Sequence, residues 1–69
     1  MVRLKVKEIA EPKGYNMSSL SRASDVSFTT VKRIWKHPEL GAHIDTLVKI
    51  AKTLKVTVDD LIEEEEDDN

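Results

Sequence analysis

The segment from Met17 to Lys36, MSSLSRASDVSFTTVKRIWK, predicts two short helices joined by a tight turn, and it is the most informative part of the sequence. Asn16 can begin the first helix and Ser27 the second, since a side-chain oxygen at a helix start accepts hydrogen bonds from amide groups that would otherwise be free. Asp25 suits the turn between them, because Asp enters the left-handed region of backbone conformation more readily than most residues.

The second of these helices has two different faces. Successive residues are about 100° apart around a helix, and from Phe28 onward this period separates the side chains into two sectors. One sector holds Phe28, Thr29, Lys32, Arg33 and Lys36. The opposite sector holds Thr30, Val31, Ile34 and Trp35. One face can therefore be buried in a small core while the other presents positive charge and an aromatic ring to a polyanion.

Apolar residues in this segment have the spacing of a helix-turn-helix unit. The first helix has a narrow inner face formed by Leu20 and Ala23, with Ser24 beside them. The anchors of the whole unit are Leu20, Val26, Val31 and Ile34. This pattern resembles the lambda-repressor/Cro type (XRE family) of bacterial and phage regulators, and the resemblance covers most of residues 4–62. Asp25 replaces the usual Gly of the turn and Ser21 the usual small Ala, and both replacements are conservative.

The resemblance implies an all-α fold, a compact bundle of about five short helices over residues 1–62. Val2, Leu4 and Val6 alternate with basic residues, but a lone strand would have no partner, so a brief extended lead into a helix is expected. That helix should run to about Glu11, because Pro12 disfavours helical geometry in the residue before it. Gly14 can then take a left-handed ending.

The second half of the chain predicts two more helices. Asp45 is a natural N-cap for a helix whose apolar residues recur at three and four positions as far as Leu54. Lys55 stands where the family usually has Gly, so this helix ending is expected to be strained or differently shaped. Thr57 and Asp60 form a capping box that opens a short last helix through Ile62. Residues 63–69 are expected to be a disordered acidic tail, because nothing in them can be buried.

The net charge of −2 at pH 7 conceals a basic body and an acidic end. All 11 Lys and Arg precede residue 59, whereas residues 59–69 contain eight carboxylates and no base. Such a charge run is most often a solubilising end of the chain. Two alternatives remain open: the tail competes with DNA for the basic face, or it docks a basic partner.

Length and composition limit the class of protein. The 69 residues suffice for one small domain, and a chain of this size buries only about 60% of the surface that it exposes when unfolded. The chain has no cysteine, which excludes disulfides and a thiolate metal site, and no apolar run approaches the roughly 20 residues that span a bilayer. We therefore expect a soluble cytoplasmic protein, associated with the nucleoid, that has no membrane partner.

The resemblance implies which residues meet DNA, since in this family the second helix of the unit lies in the major groove. The base contacts are expected from Phe28, Thr29, Lys32 and Arg33. The phosphate contacts are expected from Asn16, Met17, Ser27, Lys36 and His37. Taken alone, the Lys-bearing face would be an ordinary solvated surface. Phe28 borders Trp35 on the helix, so it either faces DNA or tucks into the rim of the core, whereas Trp35 is expected in the core.

Other kinds of site are poorly supported. His37 and His43 flank a loop with no obvious third ligand, so no metal, cofactor or small-molecule ligand is expected. The serines lack the strand-turn-helix setting of a nucleophile, which argues against an enzyme. The expected function is sequence-specific binding of double-stranded DNA by a small prokaryotic or phage transcriptional regulator. A homodimer is possible, and the candidates for its contact are Val58, Leu61 and Ile62. The alternative is a protein-interaction module, an antitoxin or anti-regulator that reuses the fold.

Overall fold

A computed structural model describes residues 2–64 and shows a mostly helical domain with a small two-stranded sheet. Its elements are β1 (Val2–Leu4), α1 (Val6–Ala10), α2 (Met17–Ser24), α3 (Phe28–Lys36), α4 (Ile44–Leu54) and β2 (Ile62–Glu64). Three short 3₁₀ turns, Glu11–Lys13, Pro38–Leu40 and Asp59–Leu61, lie between them. The helix-turn-helix unit consists of α2, the turn at residues 25–27 and α3, and α2 also packs against α4.

The sheet corrects the expectation that the N-terminal segment is only an extended lead. β1 pairs antiparallel with β2, so that Val2 lies opposite Glu64 and Leu4 opposite Ile62. The partner strand occupies residues that were expected to finish a helix and to begin the disordered tail. That expectation is wrong for residues 62–64, while residues 65–69 lie outside the described part of the chain.

The chain enters β2 through a capped turn. Asp60 N donates to Thr57 Oγ1 at 3.2 Å and Thr57 N donates to the Asp60 carboxylate at 3.1 Å, which confirms the capping box. The element that it opens is only a 3₁₀ turn, because Ile62 already has extended backbone angles (φ −115°, ψ 128°). Lys5 N donates to Leu61 O at 2.7 Å and joins this turn to the start of α1.

Three elements end with a residue in the left-handed conformation. Gly14 (φ 89°) and Asp25 (φ 58°) confirm the two endings expected there, and Lys55 (φ 59°) closes α4 without a glycine. In each case the backbone N–H of the following residue donates a hydrogen bond to the carbonyl oxygen five residues earlier. The three bonds are Tyr15 to Ala10 (3.1 Å), Val26 to Ser21 (3.3 Å) and Val56 to Ala51 (3.0 Å). These are the bonds of the Schellman motif, so the α4 ending has an ordinary shape around an uncommon residue.

The core lies where the helices and the sheet meet. Its fully buried large side chains are Leu20, Ile34, Ile50, Leu54, Leu61, Val6 and Val31. Leu61 is therefore unavailable for the dimer contact expected from it, and Val58 and Ile62 are half-buried against the same core. Trp35 is also half-buried there, which places its ring at the edge of the core.

Two local expectations are corrected. Ala23 is exposed, and the inner face of α2 uses Ser24 instead, whose hydroxyl donates to Leu20 O at 2.6 Å and so remains paired when buried. Helix α4 begins at Ile44 with His43 at its N-cap, so Asp45 lies in the first turn of the helix. There its carboxylate still complements the positive end of the helix dipole. Between residues 2 and 64 no helix has the length and apolar character needed to cross a membrane.

Candidate nucleic-acid interface

The first helix of the unit starts from a complete cap. Ser19 N donates to Asn16 Oδ1 at 2.8 Å, and Asn16 N donates to Ser19 Oγ at 2.9 Å, so each residue satisfies an amide of the other. Asn16 itself has extended backbone angles, with φ −112° and ψ −176°, as is usual for the residue that caps the start of a helix. The expected N-cap role of Asn16 is thereby confirmed.

The turn between α2 and α3 is held by side chains as well as by the backbone. Ser21 Oγ donates to Val26 O at 2.6 Å, a bond that an alanine at position 21 could not make. The Val26 side chain is buried, and Asp25 reverses the chain in the left-handed conformation. Because the turn is fixed from both sides, the angle between α2 and α3 is fixed too.

Helix α3 is capped by Ser27 and exposes one complete face. Ser27 Oγ accepts from Thr30 N at 3.3 Å and donates to Thr30 Oγ1 at 2.8 Å, which confirms Ser27 as the N-cap. Val31 and Ile34 are buried on the inner side of the helix. The opposite side, here called the recognition face, consists of Phe28, Thr29, Lys32, Arg33 and Lys36, and all five are exposed.

The exposure of Phe28 argues against one of the two positions expected for it, the rim of the core. This side chain is 44% exposed, whereas Trp35 packs against the core. An aromatic ring left this exposed forgoes part of the roughly 1.5–3 kcal/mol that full burial of a large apolar side chain supplies. The ring is therefore available to an apolar group of a ligand, at the first residue of α3.

The cations of the recognition face carry free positive charge. The ion pairs among residues 2–64 are Arg3–Glu8, Arg3–Glu63 and His37–Glu39, so Lys32, Arg33 and Lys36 have no acidic partner within this range. An open depression of about 390 Å³ runs between their side chains and is lined by Thr29, Lys32, Arg33, Lys36 and His37. Such a surface attracts an anion without first breaking an internal pair.

The five residues expected near phosphates lie at helix ends. Asn16 and Ser27 are exposed caps, and the Met17 side chain packs against the core, so Met17 can offer only its backbone amide. Amides in the first turn of a helix have no partner within the helix and point toward an anion placed there. Lys36 ends α3, and His37 follows it, with Nδ1 3.6 Å from a Glu39 carboxylate oxygen.

The structure adds neighbours that sequence reasoning missed. A second open depression, of about 290 Å³, is lined by Arg33 together with residues 40–43. It extends the recognition face toward the start of α4, where Leu40 and Ile44 are both strongly exposed. Gly41, which has φ 72° in this loop, indicates a bend, but a glycine in the sequence does not show which side chains the bend exposes. Within the described residues, no cluster of three His, Asp or Glu side chains could hold a metal ion.

A comparison with protein families agrees with this geometry. The family model of the Cro/C1-type HTH DNA-binding domain matches residues 5–67, which is nearly the whole chain. A comparison with curated proteins gives no match.

Proposed function

We propose that this chain, which belongs to the family of Cro/C1-type helix-turn-helix DNA-binding domains, acts as a small sequence-specific regulator of transcription. The family is one of DNA-binding domains and not of enzymes, so DNA is its partner. The proposal places the protein in the cytoplasm, on the chromosomal or phage DNA that it regulates.

One observation carries the proposal: all five side chains of the recognition face are exposed together on a helix capped at its start. A helix fits the major groove of duplex DNA, and there its outward side chains reach the base edges. The face combines unpaired cations with one aromatic and one methyl-bearing side chain. That combination suits a guanine next to a thymine better than it suits a uniform phosphate surface.

Each residue of the face has a role in the proposed mechanism. Arg33 donates two hydrogen bonds to guanine O6 and N7, while Phe28 and Thr29 contact a thymine methyl group. Lys32 reaches a neighbouring base acceptor. Lys36, Ser27 and His37 contact phosphates beside the groove. The amides at the Asn16–Met17 helix start hold a phosphate on the other side, and such contacts fix the register without reading sequence.

The experiment that tests the proposal begins with selection of duplexes from a random DNA library by the full chain. Enrichment of a short motif supports a sequence-specific regulator. No enrichment, together with binding that ignores sequence, overturns it and favours the protein-interaction module. Binding should also fall log-linearly with salt concentration, because each neutralised phosphate releases counterions.

Two variants then separate the kinds of contact. Arg33→Ala should weaken binding to the selected site by about 1–3 kcal/mol and relax the preference at one base pair. Lys36→Ala should weaken binding to all sequences alike and lower the salt slope by about 1. Lys13→Ala is the matched control, since Lys13 is an exposed cation in the turn after α1 and outside the recognition face. If Arg33→Ala and Lys13→Ala behave alike, α3 does not read bases.

A further inference from the structure

The acidic run of the sequence begins inside the fold. Its first two carboxylates lie in the 3₁₀ turn Asp59–Leu61, and the next two, Glu63 and Glu64, lie in β2. The sequence then continues with four more carboxylates. These four residues, here called the acidic segment, are Glu65, Glu66, Asp67 and Asp68.

The two-stranded sheet holds the point from which the acidic segment leaves the domain. Glu64 lies opposite Val2 in the antiparallel pair, and Arg3 donates a 2.7 Å hydrogen bond to the Glu63 carboxylate. Arg3 thereby balances the charge of Glu63 within the sheet. The origin of the acidic segment is therefore fixed, and its four charges come in addition to the one that Arg3 balances.

This origin lies near the end of the recognition helix. β1 packs against the 3₁₀ turn Pro38–Leu40, with Cα atoms within 8 Å, and that turn follows His37 directly. Paired strands are only about 5 Å apart, so β2 lies close to the same turn. An extended chain covers about 3.3–3.6 Å per residue, which gives the four residues of the acidic segment a reach of about 14 Å. The segment can therefore approach Lys36 and, one helical turn earlier, Lys32.

The recognition face offers the complementary charge. Lys32, Arg33 and Lys36 have no acidic partner within residues 2–64, and an open depression of about 390 Å³ runs between them. Carboxylates can enter this depression without breaking an internal ion pair of the described residues. Each exposed pair is weak on its own. Attachment to the same chain compensates, because a short link keeps the partners at an effective concentration in the millimolar range.

We propose that the acidic segment docks on the recognition face of its own chain and competes there with DNA. The inference rests on the proposed function, because the segment occupies the surface that is proposed to bind the duplex. Its carboxylates take the places of phosphates, so DNA must displace them before α3 enters the groove. The segment therefore lowers the affinity for every duplex by the same factor. Sequence preference, which depends on base contacts, stays unchanged.

The first test looks for docking in the absence of DNA. A full-length neutral variant carries four substitutions that keep the size of each side chain: Glu65→Gln, Glu66→Gln, Asp67→Asn and Asp68→Asn. Amide NMR spectra of the parent and the neutral variant at low salt should differ at residues 32–37 of α3 and its end. Differences confined to the neighbours of the substituted residues overturn the docking. Differences at α3 that disappear on dilution also overturn it, because they come from a second copy.

The second test measures competition. At low salt the neutral variant should bind any duplex about threefold or more tightly than the parent, since no linked competitor has to be displaced. The gain should shrink as the salt concentration rises, because salt screens exposed charges. Equal affinities of the two proteins at low salt overturn the competition.

A third test separates docking from simple repulsion between the acidic segment and DNA. The gain from neutralisation should shrink when Lys32→Gln and Lys36→Gln are introduced together, because the docking partners are then missing. Lys7→Gln is the matched control, since Lys7 is an exposed lysine of α1, the helix that follows β1. A gain that Lys32→Gln and Lys36→Gln leave unchanged means that the segment only repels DNA and overturns the docking. A gain that shrinks with Lys7→Gln instead places the segment elsewhere and overturns it as well.

The outcomes distinguish this inference from the proposed function. Sequence-specific binding without a spectral difference at α3 overturns the docking and leaves the regulator intact. Failure of both the parent and the neutral variant to bind any duplex overturns the regulator and the competition with it. The spectra, recorded without DNA, still decide whether the acidic segment docks.

Discussion

Arg3 and Glu63 lie opposite each other in the two-stranded sheet, and Arg3 donates a 2.7 Å hydrogen bond to the Glu63 carboxylate. The same guanidinium is 3.0 Å from the carboxylate of Glu8 in α1. The hydrogen bond that Arg3 donates to Glu63, followed by the negative charge of Glu8, raises the pKa of Arg3 above its usual value. The Arg3 side chain thus links β1 both to β2 and to α1.

This contact should stabilise the fold by a small, measurable amount. Both side chains are about one-third to two-fifths exposed, so solvent screens the pair, and we expect a small favourable coupling energy between Arg3→Gln and Glu63→Gln. Urea unfolding of the parent, both single variants and the double variant, followed by Trp35 fluorescence, measures it. The His37–Glu39 pair, longer and more exposed, should give a coupling near zero. Additive single variants would show that the sheet holds without the pair.

Replacing Lys55 with glycine should make the domain more stable. Its φ of 59° is a conformation that a side chain disfavours and that glycine adopts freely. Lys55→Gly is therefore expected to stabilise the domain by about 0.5–1 kcal/mol, measured by thermal and urea unfolding. Lys52→Gly is the control, since position 52 lies within α4 and glycine there should destabilise by about 1 kcal/mol. A loss of stability in Lys55→Gly would mean that the backbone strain at Lys55 is smaller than the cost of the extra conformational freedom that glycine gives the unfolded chain.

The helix-turn-helix unit was predictable because its determinants are local. Asn16, Ser27 and Asp25 act within a few residues of their own positions, and the period of α3 alone separates its buried side from its exposed side. The recognition face could be identified from the sequence for the same reason. Whether each of its side chains meets a base or a phosphate depends on DNA and remains a prediction.

The sheet was not predictable in this way, because its two strands are about 60 residues apart in the sequence. A strand such as Val2–Leu4 carries no signal for where its partner lies, and Glu63 and Glu64 resemble the acidic run that follows them. The exposure of Ile44 and Val48 was not predictable for another reason. Ile44 and Val48 fit the helical spacing of a buried face, and periodicity cannot show that nothing from the same chain covers them.

Two substitutions of Asn16 should separate its contribution to stability from its contribution to DNA binding. Asn16→Ala removes the acceptor for Ser19 N and should destabilise the domain by about 0.5–2 kcal/mol. Asn16→Asp keeps a capping oxygen, so stability should stay close to that of the parent. The added negative charge lies where a phosphate is expected, and it should weaken binding to every sequence. Unfolding and duplex titrations on both variants measure the two effects. Equal DNA affinity of Asn16→Asp and the parent would place the phosphate elsewhere.

Replacing Phe28 should change DNA binding but have little effect on the stability of the domain. Because its ring is 44% exposed, Phe28→Ala should change the free energy of unfolding by less than about 1 kcal/mol, below the roughly 1.5–3 kcal/mol of a fully buried ring. The same variant should lose preference for thymine at one position of the selected site, since no other ring lies on the recognition face. Trp35→Ala is the aromatic control, because its ring packs against the core and its loss should destabilise more than the loss of Phe28. Competition binding with duplexes that carry thymine or uracil at each position isolates the methyl contact. If Phe28→Ala discriminates thymine from uracil as well as the parent does, the methyl group is read by Thr29 instead.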